Sequence, residues 1–137
     1  MSEPFIFIGT YTFKEGKVED YKKGVQQFCE FIEANEPRMI AFNVYTNGED
    51  TEVSIVQVHP DAESMLFHMS LISEHIEKSG DVFDYDAPSS TQVFGPPSGG
   101  VLEMIKGFSK PGVELKVKSN HLGGFTRSAA DREPAAS

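Results

Sequence analysis

The chain has 137 residues, 39% of them hydrophobic, with eleven phenylalanines and no tryptophan; that size points to one domain able to form a core without a disulfide or metal staple. The single cysteine, Cys29, excludes an internal disulfide framework and suits a reducing compartment. A formal net charge of −9 opposes phosphate backbones, so nucleic acid is excluded as an expected partner.

The opening MSEPFIFIG has no basic n-region, so no signal peptide is expected. No segment carries the ~18 consecutive apolar residues of a membrane span. The expected location is therefore cytoplasmic, with no membrane partner. Pro4 to Phe13 reads as a strand: Phe5, Phe7, Tyr11 and Phe13 fall on one side, Ile6, Ile8 and two threonines on the other. A strand apolar on both faces predicts a central position with both faces covered.

A helix is predicted from about Lys17 to Asn35, where Val18, Tyr21, Val25, Phe28 and Ile32 line up one apolar stripe. Gly24 weakens it by about 1 kcal/mol relative to alanine, which suggests a close neighbour there. Cys29 sits beside the stripe and reads as a small buried apolar residue rather than a nucleophile. Pro37 ends this helix. Arg38 to Thr46 forms a second strand, the NGED segment a turn with positive φ at Asn-Gly, and Thr51 to His59 a third strand pairing back. A second helix opens at Pro60 and Asp61, runs to about Ser79 and stops at Gly80. After the loop DVFDYDAPSS come a short strand TQVFG, a short helix in PPSGGVLEMIKGF with Val101, Leu102 and Ile105 inward, and an edge strand GVELKVKSN. Residues 1–127 form the predicted domain, and 128–137 a frayed, disordered tail.

The order β-α-β-β-α-β, plus a short helix and a fifth strand, predicts an α+β ferredoxin-like split βαβ fold. Two main helices cover one face of such a sheet, yet the first three strands are apolar on both. A second copy of the chain is expected on the other face, making a two-fold homodimer.

Four histidines carry the candidate chemistry. At about 100° per residue, Met65, Met69, Ile72 and Ile76 form the stripe of the second helix, with His68 and His75 on one edge of it. Seven helical residues separate these two by ~10 Å, too far to share one ion, so no metal site is expected. His75, near the helix end, reads as a half-buried boundary residue. His68, mid-helix beside the stripe, reads as functional. His59 closes the third strand in register with Gln57, Ile55 and Val53, and either looks into the helix–sheet space or faces solvent. His121, near a loop, has no assigned role.

The segment VQVHPDAESMLFHMSLISEH, with the opening FIFIGTYTFKEGKVEDYKKGVQQF, resembles the antibiotic biosynthesis monooxygenase (ABM) family, which includes small quinol monooxygenases. The resemblance spans about Phe5 to Lys78 and lies in the order and spacing of the motifs, with weaker support from QVFG and GGFTR. It implies a dimeric α/β barrel with a pocket between helices and sheet. It also implies oxidation of a small aromatic or quinol ligand with O₂ and no cofactor. His68 matches the family's helix histidine and becomes the candidate catalytic base. Tyr11, Asn43, Tyr45, His59, Met65 and Ile72 become candidate substrate-binding residues. A non-catalytic binding or regulatory module of the same fold is the alternative. His59 stands where the family commonly has a strand-end Trp or Tyr. Haem degradation is not expected, because the chain has no tryptophan and Gly9 falls where that branch has an asparagine.

Overall fold

The computed structural model describes residues 4–78, 82–84, 86–108 and 112–127. The elements run β1 (Phe5–Thr12), α1 (Val18–Asn35), β2 (Ala41–Thr46), β3 (Glu52–His59), α2 (Ala62–Lys78), β4 (Ser89–Phe94), α3 (Val101–Phe108) and β5 (Val113–Lys118). The five strands form one sheet in the order β2-β3-β1-β4-β5. Pairing is antiparallel except for β5, which joins β4 in parallel at one edge, with β2 at the other. This is the predicted α+β ferredoxin-like arrangement with its extra helix and strand. The expectations for Ser79, Gly80, the His75 side chain and the 128–137 tail fall outside the described residues.

The pairing register decides which side chains share a face. Phe5 lies opposite His59, and Phe7 opposite Gln57 on one side and Val93 on the other. Phe42 lies opposite Gln57 from β2. These residues look toward the helices, where Phe5, Phe7 and Val93 join Ala62, Met65 and Met69 of α2 and Val101 and Ile105 of α3 in one core. α1 closes the same face over β2 through buried Ile32 and an edge-on contact of Phe28 with Phe42. The alternate residues Ile6, Ile8, Val56, Val58 and Phe94 point to the opposite face and stay only half-buried. The two main helices thus cover one side, as the face count predicted, and α3 joins them there.

Several local details depart from expectation. β2 begins at Ala41 instead of Arg38, because a turn in which the Met39 N–H donates to the Glu36 carbonyl takes up the preceding residues. In the β2–β3 turn the positive φ falls on Asp50 (56°), not on Asn47-Gly48. Asn47 uses its side-chain carbonyl to accept from the Thr51 and Glu52 N–H groups, which leaves Asp50 to make the left-handed step. Gly24 has no close neighbour: a methyl group there would meet open space. A close approach occurs instead at Gly9, where the Tyr11 hydroxyl lies over the backbone and would stand 2.6 Å from a Cβ. Gly95, at φ 105° with the Pro4 carbonyl against it, is another position only glycine fills without strain.

Candidate functional site

The site is built around Glu36, the residue that caps the C-terminus of α1. Its N–H donates to the Ile32 carbonyl, ending the helix, and Pro37 then turns the chain toward β2. That turn swings the Glu36 side chain inward, where it is only 4% exposed. His68, in the middle of α2 and 1% exposed, meets it: Nδ1 donates to Glu36 Oε2 at 2.6 Å. A carboxylate on Nδ1 fixes the ring tautomer, leaving Nε2 as the lone-pair nitrogen. Phe42 lies against the His68 ring with centroids 5.9 Å apart. The other carboxylate oxygen, Glu36 Oε1, is buried and accepts no hydrogen bond among the described residues.

His59 stands beside His68, ring centroids 5.9 Å apart, with a different chemistry. Its Nε2–H donates to Gln57 Oε1 at 3.0 Å, and its Nδ1 accepts from the Ser64 hydroxyl at 2.7 Å. Ser64 is held in turn by the start of α2, where its N–H donates to the capping Asp61 carboxylate at 3.0 Å. Asp61 is also ion-paired with Arg38. Burial, with the neighbouring His68 adding to it, pushes the His59 imidazole down to about 3, so this ring stays neutral. A neutral ring with both nitrogens engaged orients and insulates; it has nothing left to offer a ligand.

A cleft of about 480 Å³ opens beside the pair between α1 and β2. Its walls include Glu36 and Phe42, two of the residues that touch His68, together with Cys29, Glu30, Glu33 and Met39. Burial and the adjacent Glu30 push the Cys29 thiol up, away from the nucleophilic thiolate form. A smaller cleft of about 190 Å³ lies on the other side of the turn, against Arg38, Ser64 and Phe67. Among the described residues no three His, Cys, Asp or Glu side chains gather as a metal-ligating group.

Of the sequence-predicted residues, the structure brings together His68 and His59, with Met65 fully buried in the core beneath them. Ile72, 8% exposed, belongs to the buried stripe of α2. Asn43 and Tyr45 are placed elsewhere. Asn43 pairs with Val56 and Tyr45 with Ser54, which puts both on the outer sheet face, exposed and away from the helices. The β2–β3 register, with Phe42 opposite Gln57, is what turns them away from His68. His59 looks into the helix–sheet space, the first of its two expected placements, as a 0% exposed ring with both nitrogens engaged.

Tyr11 does face inward, but it pairs with Val53, four residues along the sheet from the Phe7–Gln57 row, or roughly 13 Å. There it stacks on Phe83 at 5.1 Å within an aromatic group that includes Phe13 and Tyr21. Burial raises the Tyr11 hydroxyl and pushes Tyr21 up to about 12, so neither serves as a base at neutral pH. Glu36, Gln57 and Ser64 were not found from sequence. A signal for Glu36 existed: an acid at a helix C-terminus opposes the dipole, so its placement there needs another reason.

The fold is that of the antibiotic biosynthesis monooxygenase-like proteins. MupZ from Pseudomonas fluorescens superposes with a TM-score of 0.70 at 20% identity, over 93% of this chain and 91% of that one. SnoaB from Streptomyces nogalater, a cofactor-independent oxygenase solved as a point mutant, gives 0.56 at 12% identity, over 72% of this chain and 97% of that one. A protein classed with the antibiotic biosynthesis monooxygenases from Bacteroides thetaiotaomicron gives 0.54 at 14%, over 60% and 81%. At these identities the likeness establishes the fold. No family model matches the chain, and no curated protein matches it in sequence.

Proposed function

We propose that the chain is a cofactor-independent monooxygenase acting on a small aromatic or quinol substrate, with His68 as its base and Glu36 as the group that positions it. The observation carrying this reading is the buried Glu36–His68 pair: Glu36 lines the α1–β2 cleft, and His68 lies behind Glu36 and Phe42 of its wall. The oxygenase chemistry named for SnoaB, a protein of the same fold, supports it.

His68 Nε2 takes the proton of a phenolic hydroxyl, and the imidazolium so formed is compensated by the Glu36 carboxylate at 2.6 Å. The phenolate passes one electron to O₂, and the resulting radical pair combines into a C–O bond. The peroxide anion takes up a proton. Cleavage of its O–O bond expels water and leaves a carbonyl on the ring, so one phenol and one O₂ give one quinone and one water. The half-buried outer sheet face supports the homodimer as the working form.

Oxygen uptake over a panel of dihydroxyaromatics tests the reading. His68→Gln keeps a hydrogen-bonding side chain beside Glu36, and the variant is expected to lose about 100-fold or more of the rate while retaining its fold. Unchanged turnover in a folded His68→Gln protein removes the base. The near-complete enclosure of His68 favours one second reading, a binding module without turnover. A ligand would then raise the melting temperature and no product would form.

A further inference from the structure

The wall of the α1–β2 cleft carries three carboxylates, Glu30, Glu33 and Glu36, and no lysine or arginine. The last turn of α1 holds no basic residue either, so the negative end of the helix adds to the same field. Arg38, two residues beyond Glu36, lines the other cleft, which Glu36 also borders, and its charge is taken up by Asp61. Glu30 and Glu33 are exposed and can serve a ligand, while Glu36 Oε1 is a buried acceptor without a donor among the described residues. A buried carboxylate oxygen without a donor is unfavourable, and a ligand N–H or O–H relieves it. A carboxylated or phosphorylated ligand would meet only repulsion on this wall.

We propose that the cleft selects a substrate that carries a cationic nitrogen, an ammonium or similar group. Glu30 and Glu33 hold the cation, and Glu36 Oε1 accepts a hydrogen bond from the ligand. The aromatic ring rests on the monooxygenase reading; the charge selection stands on the cleft itself.

Two catechols that differ only in the arm test this: dopamine, with an ammonium group, and 3,4-dihydroxyphenylacetate, with a carboxylate. Anaerobic titration calorimetry on the full chain is expected to show dopamine binding about tenfold or more tightly at low ionic strength, with the gap shrinking as salt rises. In the doubly neutralised variant Glu30→Gln, Glu33→Gln, whose changes lie on an exposed helix face, the gap is expected to close to within about threefold. Equal or tighter binding of the carboxylate overturns the proposal. So does an unchanged preference in the double variant, or no binding of either catechol at millimolar concentration. A preference for dopamine without oxygen uptake would overturn the monooxygenase reading and leave the charge selection standing. Uptake with the carboxylated catechol and no preference would do the reverse.

Discussion

His59 and His68 touch within one core, yet hydrogen bonding divides their work. His59 has both nitrogens engaged and is held neutral first by burial and then by the neighbouring His68, with Asp61 opposing and Arg38 adding the least. Its folded value lies near 3, against 6.5 for an ordinary histidine. Above pH 6.5 neither folded nor unfolded chain carries a proton on this ring, and pH does nothing through it. Below that the unfolded chain takes a proton the folded one refuses. Stability then falls by about 1.4 kcal/mol per pH unit toward pH 3. Urea denaturation at pH 7 and pH 4.5 is therefore expected to show a drop roughly 2 to 3 kcal/mol larger in the wild type than in His59→Asn. Equal drops would mean that His59 is protonated in the fold.

At the scale of the elements, much could be read from the residues. The α2 stripe of Met65, Met69 and Ile72 is buried as its spacing predicts, and Phe67 on the far side is exposed. Strict alternation identified β5 as an edge. Other features depend on long-range pairing. β2 has apolar residues in both phases, so its inward face was undetermined until β3 fixed the register, and Asn43 and Tyr45 went to the outer side. Glu36 was hidden for a similar reason. Only the turn at Pro37 aims its side chain at His68, and the two lie 32 residues apart. Gly24 shows the reverse error, a residue given a packing role where the structure has open space. Gly24→Ala is expected to stabilise the protein by about 0.5 to 1 kcal/mol, read as a higher urea midpoint at unchanged slope. Destabilisation would reveal a neighbour on that helix face.

At the scale of the whole molecule, the two faces of the sheet are unequal. Three helices bury Phe5, Phe7, Val93 and their neighbours on one side. On the other, Ile6, Ile8, Val56, Val58 and Phe94 remain half-buried. A second copy pressing the same patch onto this face would account for them, and sedimentation equilibrium is then expected to report twice the 15.1 kDa chain mass at micromolar concentration. A monomer that persists on concentration would leave that face unexplained. The account as a whole turns on one proton: it must sit on His68 Nδ1, against Glu36, so that Nε2 is free to accept another from a bound substrate. Nitrogen-15 NMR of the imidazoles measures this directly. The account predicts a protonated Nδ1 and a lone-pair Nε2 for His68, with the Nε2 resonance shifting when a dihydroxyaromatic fills the cleft. A proton found on Nε2, or a resonance that ignores the bound ligand, would contradict it.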